Sequence, residues 1–181
     1  MCMQADTVIS KLTVVSDGPP GLLPAFSSQM RIDIRSLSLQ NCLWRGEDSD
    51  CAFVNVQSLM LRDTAMDALL ACASTVSKLE LECMDALQAW CLLSALERHS
   101  FVNLNSLGLE LEGDVQQITC MSIVVWCIAR ATIRSVRLKL WDRSEHDVHS
   151  IYQYVLQMHW DAVCYREDAD IIELSRREAK D

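Results

Sequence analysis

The sequence lacks several features that would each have indicated a class of function. It has no excess of basic residues, because the net charge is −9 and the pI is near 4.8. A nucleic acid or an anionic membrane needs a basic surface, so both kinds of partner are disfavoured. Residues 1–6 have neither the basic nor the apolar region of a signal peptide. The longest apolar run, Ile123 to Ala129, is far shorter than the roughly 20 residues of a membrane-spanning helix. We therefore expect a soluble protein of the cytoplasm or nucleus, with no nucleic acid and no membrane as partner.

Signatures of catalysis and of metal binding are also missing. The sequence contains no GxGxxG, P-loop or GxSxG motif, and it has no CxxC pair. Its 9 cysteines are an odd number, and most of them lie within apolar or helical runs. We expect buried free thiols in a reducing compartment rather than a disulfide framework or a zinc site. We also expect no cofactor, no metal and no enzymatic activity.

The sequence does contain an internal repeat. The segment Leu104–Leu109 has apolar residues at its first, fourth and sixth positions, and its third position is Ser. The same frame, with Ser or Lys at the third position, occurs six times along the chain, at Ile9–Val14, Ile34–Leu39, Val56–Leu61, Val76–Leu81, Leu104–Leu109 and Ile133–Leu138. The units start 20 to 29 residues apart, and a repeat with a period near this length is typical of a solenoid.

Each unit of the repeat predicts a strand with one buried face. The fourth and sixth positions point the same way on a strand, and the first position turns inward just before it. We predict strands at 8–15, 30–40, 54–62, 76–82, 102–111 (the longest) and 133–141, and helices at 65–73, 86–98, 115–130 and 145–159. Asp85 is expected to cap the second helix, with Leu87, Trp90 and Cys91 in its core stripe, and the third helix is expected to be buried on more than one face. Stacked parallel units share a core that no single unit can build, which predicts an α/β fold with a curved parallel sheet of about six strands.

The frame resembles that of leucine-rich repeat proteins of the ribonuclease-inhibitor-like type, over residues 8–160. The family frame L-x-x-L-x-L-x-x-N/C matches six times in its first six positions and once, at Cys42, in its ninth. The resemblance implies a leucine-rich repeat solenoid with helices on the convex side and a protein partner on the concave face of the sheet. Irregular arrays of this kind are similar to the repeat region of F-box-like proteins, which implies substrate recognition in a ubiquitin ligase. No F-box segment precedes Ile9, which leaves a fragment, a truncated gene product and a free-standing array as alternatives.

The resemblance also implies which residues bind the partner, namely the strand residues that face away from the core. On this sequence the candidate partner-binding residues are Lys78, Glu80, Glu82, Ser106, Gly108, Glu110, Arg137 and Lys139. Three glutamates of this set form an acidic middle between basic ends, which predicts a partner that presents a basic segment. The alternative is that these residues are only a solvated surface.

Two further expectations concern the C-terminus and the competing function. The chain becomes charged beyond Trp160, and we expect residues 161–181 to form a cap or tail with one docked turn at Ile171, Ile172 and Leu174. The competing hypothesis is a small doubly wound α/β enzyme with a site at the carboxyl ends of the strands. There, Cys42 or Cys83 could form a thiol dyad with a distant histidine. The oligomeric state is left open.

Overall fold

A computed structural model describes most of the chain as an α/β fold. The described residues are 8–17, 21–22, 32–43, 53–63, 69, 72–98, 101–113, 115–141, 145–157, 162–166 and 171–176. The strands are β1 (Val8–Val15), β2 (Gly21–Leu22), β3 (Ile32–Gln40), β4 (Cys42–Leu43), β5 (Phe53–Val54), β6 (Ser58–Arg62), β7 (Lys78–Met84), β8 (Ser106–Leu111), β9 (Ser135–Leu140), β10 (Ala162–Arg166) and β11 (Ile171–Ser175). The helices are α1 (Ala86–Arg98), α2 (Gln117–Ile128) and α3 (Glu145–Leu156).

The repeat units lie side by side in chain order within one sheet. Nine of the described strands form this sheet, which runs β1-β3-β6-β7-β8-β9-β11-β10, with β5 paired to β3. All pairs from β1 to β9 are parallel. Their register places the fourth position of every unit beside that of the next, in the row Leu12, Leu37, Leu59, Leu79, Leu107 and Val136. The predicted parallel order and the predicted frame are therefore both present in the structure.

Burial follows the frame along each strand. On β8 the residues alternate between half-buried and buried, so Leu107 and Leu109 are each 1% exposed while Ser106 and Gly108 are half-buried. The first position of each inner unit is also buried just before its strand, as at Ile34, Val56, Val76, Leu104 and Ile133. In the first unit, Ile9 and Leu12 are only half-buried. The leucines thus form a continuous core on one face of the sheet, and the opposite face is open.

The backbone repeats as regularly as the side chains. Just before the strands, one carbonyl accepts from two successive amides of the next unit: Gln57 O accepts from the N–H groups of Ser77 at 2.7 Å and Lys78 at 2.9 Å. Asn105 O likewise accepts from Arg134 at 2.7 Å and Ser135 at 3.1 Å. Near the strand ends, three successive units place the residue at the eighth position in the left-handed region, with φ of 52° at Asn41, 46° at Asp63 and 56° at Cys83. These three units therefore share a left-handed residue at the same position, although its residue type differs.

Helix α1 begins where the sequence predicts but buries a different stripe. Asp85 and Gln88 form a capping box, because the Gln88 N–H donates to Asp85 Oδ1 at 2.7 Å and the Asp85 N–H donates to Gln88 Oε1 at 3.2 Å. The buried residues of α1 are Ala89, Leu92, Leu93, Ala95 and Leu96. The prediction that Leu87, Trp90 and Cys91 belong to the core is wrong, since Leu87 is 70% exposed, Trp90 is 61% exposed and Cys91 is exposed. The inward stripe therefore combines two alanines with three leucines.

Helices α2 and α3 pack in chain order beside α1. Helix α2 buries Cys120, Ile123, Val124, Trp126 and Cys127. Its neighbours are α1 on one side and α3 on the other, so it is buried from more than one direction as expected. Ile118 is an exception, because it is 69% exposed in the first turn of the helix. Of the helix predicted at 65–73, only Leu69, Cys72 and Ala73 lie within the described residues, and all three are buried.

The C-terminal segment differs most from the expectation. In place of a docked turn, Ile171–Ser175 is a strand (β11) that pairs antiparallel with β9, and β10 pairs antiparallel with β11. Ile172 and Leu174 are buried because they alternate with outward residues, as the leucines of the repeat do. Arg176 then crosses to the end of α2, where its Nη2 donates to Ile128 O at 2.7 Å and its Nη1 to Arg130 O at 3.2 Å. The bond to Ile128 O satisfies a carbonyl that the end of the helix leaves without an intrahelical partner, whereas Arg130 O also accepts from the Ile133 N–H. The division of the chain at residue 160 stays a prediction.

The strand prediction at 102–111 is also too long. Strand β8 has 6 residues, and the longest strand is β3 with 9. Val102 and Asn103 lie in a turn, and the Leu104 N–H donates to Phe101 O at 3.3 Å. Apolar residues before the frame therefore belong to the loop, where Phe101 is buried against Trp126 with ring centroids 6.4 Å apart.

The six cysteine side chains that the structure describes form no disulfide, and four of them are buried. Cys42, Cys72, Cys120 and Cys127 are buried, while Cys91 is exposed on α1. Burial raises the pKa of Cys127 to about 12, so its reactive thiolate is scarce in the folded protein at neutral or mildly alkaline pH.

We predict that iodoacetamide at pH 8 labels Cys91 much faster than Cys127 in the folded protein. Each of the two tryptic peptides contains a second cysteine, Cys83 or Cys120, so fragmentation by tandem mass spectrometry over time measures the two rates separately. Denaturation provides the control in which the rates converge. Equal rates without denaturant would contradict the burial of Cys127.

Candidate binding face of the sheet

The open face consists of three rows of outward side chains that run across the strands. The register aligns Lys78, Ser106 and Ser135 in the first row, and it aligns Glu80, Gly108 and Arg137 in the second. The third row contains Glu82, Glu110 and Lys139; Glu110 and Lys139 are direct partners in the register of β8 and β9, and Glu82 lies beyond the register shift of β7. All eight candidate residues named from the sequence are therefore together on one face.

Strand β11 extends this face with two residues that the sequence analysis missed. Glu173 pairs with Arg137, and Ser175 pairs with Ser135, so each continues a row of the face. The alternation of Ile172, Glu173 and Leu174 was the signal for a strand at this position. It was not used because no complete copy of the repeat frame surrounds it.

The carboxylates of the predicted acidic middle are each close to a basic group. Glu80 Oε1 lies 2.8 Å from Lys78 Nζ, Glu82 Oε2 lies 3.8 Å from Arg62 Nη1, and Glu110 Oε1 lies 3.3 Å from Lys139 Nζ. Glu110 also accepts a hydrogen bond from Trp141 Nε1 at 3.4 Å, and Lys139 Nζ lies 3.9 Å from the centroid of the Trp141 ring. Exposed ion pairs of this kind contribute at most about 1 kcal/mol each. They nevertheless neutralise the middle of the face, so its charge is mixed rather than acidic.

A depression of about 340 Å³ lies over Gly108 in the centre of the face. The surrounding side chains are Lys78, Glu80, Ser106, Ser135, Arg137, Glu173 and Ser175. Gly108 leaves this depression open because it has no side chain. A Cβ at this position would lie 3.3 Å from Glu80 Cγ. A smaller hollow of about 60 Å³ adjoins it and shares Glu80, Gly108 and Arg137. The glycine thus separates Glu80 from Arg137 and leaves room for a group from outside.

The competing hypothesis places a catalytic site at the carboxyl ends of the strands, where Cys42 and Cys83 lie. Burial raises the pKa of the Cys42 thiol, and a backbone hydrogen bond of Gln40 offsets only part of this effect. Burial also raises the pKa of Cys83. A raised pKa favours the protonated thiol, which is a poor nucleophile. Among the residues that the structure describes, no group of three His, Cys, Asp or Glu side chains is placed to hold a metal ion.

The helix side of the molecule presents a second exposed surface. Leu87, Trp90 and Ile118 are apolar and largely exposed on α1 and α2. Leu87 and Trp90 were predicted to lie in the core. This surface provides the comparison for any binding measurement on the open face.

No protein family, curated protein or solved structure matches the chain. In the described part of the chain, no helix combines the length and the apolar character needed to cross a membrane.

Proposed function

We propose that the protein is a leucine-rich repeat solenoid that acts as a scaffold for protein–protein interaction, with its site on the open face of the sheet. The observation that carries the proposal is the in-register stacking of six parallel units in chain order. Such stacking presents outward side chains as one continuous surface, whereas the connections behind the sheet differ in length. Repeat proteins use extended surfaces of this kind to bind partners.

The centre of the proposed site is the depression over Gly108. Its rim carries charges of both signs and hydroxyl groups, and these provide specificity more than affinity. Lys78 and Arg137 are about half exposed, so a partner reaches them without rearrangement of the sheet. Recognition of a substrate for ubiquitin ligation is one form of this function, and it rests on the resemblance to F-box-like proteins alone.

The competing function, a small α/β enzyme, has less support. At the carboxyl ends of the strands, burial raises the pKa of Cys42 and of Cys83, which disfavours the thiolate that a cysteine nucleophile needs. We therefore favour binding over catalysis.

We predict that Gly108→Gln weakens binding to a partner isolated by pull-down from the native source by at least about tenfold, or 1.4 kcal/mol. The glutamine fills the depression without a change of charge. Trp90→Gln is the matched control on the helix side and should leave the dissociation constant within about twofold, since the affinity resides on the other surface. Surface plasmon resonance measures both.

The variant Gly108→Ala distinguishes the effect of filling the depression from the effect of replacing a glycine in the strand. Its Cβ would lie 3.3 Å from Cγ of the flexible Glu80 side chain and at ordinary contact distance from backbone atoms of Leu79 and Glu80, so folding should be unaffected. Binding lost with Trp90→Gln but retained with Gly108→Gln would move the site to the helices and refute the proposal.

A further inference from the structure

Strand β1 lies at one edge of the sheet. Within the described part of the chain it pairs on one side only, with β3. A row of backbone N–H and C=O groups along such an edge is a template for another strand, and proteins commonly block it with a proline, a bulge or an inward-pointing charge. Strand β1 has no proline, its register with β3 does not shift, and its one charged residue, Lys11, is exposed on the open face. The edge is therefore able to accept a further strand.

The core is incompletely covered at the same edge. Leu12 and Val14 pack against the core but are only half-buried. Their register partners on β3, Leu37 and Leu39, are 1% and 0% exposed. A strand added beside β1 removes the remaining apolar surface of Leu12 and Val14 from water, which favours its binding.

The C-terminal part of the sheet shows which kind of strand covers such a core. There, β11 pairs antiparallel with β9, so Ile172 lies opposite Leu138 and Leu174 lies opposite Val136. All four of these side chains are at most 1% exposed. An antiparallel strand with two apolar residues separated by one outward residue thus completes the core of the parallel units.

Strand β1 itself contains this apolar–polar–apolar order, at Leu12, Thr13 and Val14. When two copies of β1 run antiparallel about a twofold axis at Thr13, Leu12 of each copy lies opposite Val14 of the other. Lys11 then lies opposite Val15, and the two lysines are separated by roughly 13 Å along the strands, which exceeds the Debye length of about 8 Å in physiological salt. The strand is therefore complementary to a second copy of itself.

The neighbouring registers fit less well. With the axis at Leu12, Val14 lies opposite the exposed Ser10, and with the axis at Val14, Leu12 lies opposite Ser16. With the axis at Lys11, two like charges lie directly opposite each other, which destabilises a strand pair. Of these axes, only the one at Thr13 places both apolar residues of each triplet opposite apolar residues.

We infer that two copies of the chain form a symmetric dimer through antiparallel pairing of their β1 strands, with the twofold axis at Thr13. Opposite residues of an antiparallel pair point to the same side, so the two open faces lie on one side of a continuous sheet. The inference goes beyond the proposed function, because the pairing uses the edge of the sheet and leaves the open face accessible.

The test places a charge on the twofold axis. Thr13 is exposed in the single chain, so Thr13→Lys and Thr13→Glu should each fold, but each brings two like charges together in the dimer. Sedimentation equilibrium of the full chain at micromolar concentrations should give a mass of twice 20.5 kDa. We expect each variant to raise the dissociation constant of the dimer at least about tenfold, because like charges in contact are strongly unfavourable.

An equal mixture of the two variants should form the dimer again, because Lys and Glu then face each other across the axis. Labelling one variant with ¹⁵N allows native mass spectrometry to identify the mixed dimer, and this rescue shows that neither variant is misfolded. Gln153→Lys is the control, because it makes the same charge change at an exposed position of α3. It should leave the dissociation constant within about twofold, since a distant exposed charge is screened by salt.

Three results would overturn the inference. The first is a wild-type chain that stays monomeric throughout this range of concentration. The second is a dimer that both Thr13 variants leave unchanged, and its loss with Trp90→Gln would then place the contact on the helices. The third is a mixture of the two variants that associates no more strongly than either variant alone, which would exclude an axis at Thr13.

Discussion

Trp126→Ala should lower the free energy of unfolding by about 3–5 kcal/mol, the range typical of removing a buried tryptophan. Trp126 is 8% exposed, and its ring meets Phe101 edge-on. Its Nε1 donates to Leu96 O at 2.9 Å, and Arg130 lies 3.8 Å above the ring. The substitution removes the packing and also leaves a carbonyl near the end of α1 without its partner. Urea denaturation followed by circular dichroism measures the change.

Trp90→Ala is the control, because it removes the same side chain from the neighbouring helix. Trp90 is 61% exposed, so the loss should be within about 0.5 kcal/mol, as for other surface substitutions. A large loss at Trp90 together with a small loss at Trp126 would show that the two helices are rotated relative to the arrangement described above.

Leu107→Ala should lower the free energy of unfolding by about 2–5 kcal/mol through lost burial and a cavity. Leu107 is 1% exposed on β8, and it lies between Leu79 and Val136 in the register of the sheet. Because repeat units depend on their neighbours, a defect in β8 weakens both adjoining interfaces. The measurement is again chemical denaturation, with the slope of the transition checked for a change in cooperativity.

Ser106→Ala tests the register at the adjacent position. Ser106 faces the open side and shares one hydrogen bond with Ser135, so the loss should be within about 1 kcal/mol. A shift of one residue exchanges the two faces of a strand. Similar losses at Leu107 and Ser106 would therefore disagree with the observed alternation.

The strands were predictable because their signal is repeated and local. Apolar residues at three fixed positions specify which face of each strand is buried, and parallel stacking then follows from the shared core. The aligned row through Leu59, Leu79 and Leu107 is the direct result. The eight candidate residues of the open face were found for the same reason, since they alternate with the buried ones.

The helix faces were not predictable, because α1 has more apolar residues than its buried stripe needs. Trp90 and Trp126 both lie in apolar helical runs, yet one is exposed and the other is buried. The difference depends on what each helix packs against. Trp126 has the Leu96 carbonyl and Phe101 as partners, and the sequence places neither of them.

The charge balance of the open face was likewise not predictable from the sequence. The sequence places Glu80, Glu82 and Glu110 on one side of the sheet, which looks acidic when read along the chain. Their cationic neighbours come from the same strand or the adjacent strands, so the pairing depends on the register of the folded sheet. Glu173 lies beyond the last complete unit, so its ion pair with Arg137 depends on the position of β11.

The most direct test of the central claim is a hydrogen-exchange footprint of the complex with the partner isolated from the native source. Binding on the open face should slow exchange on the strands around Gly108, in peptides from Lys78–Met84, Ser106–Leu111 and Ser135–Leu140, with little change in α1 and α2. Protection confined to α1 and α2, around Trp90 and Ile118, with unchanged exchange in these strands, would contradict it.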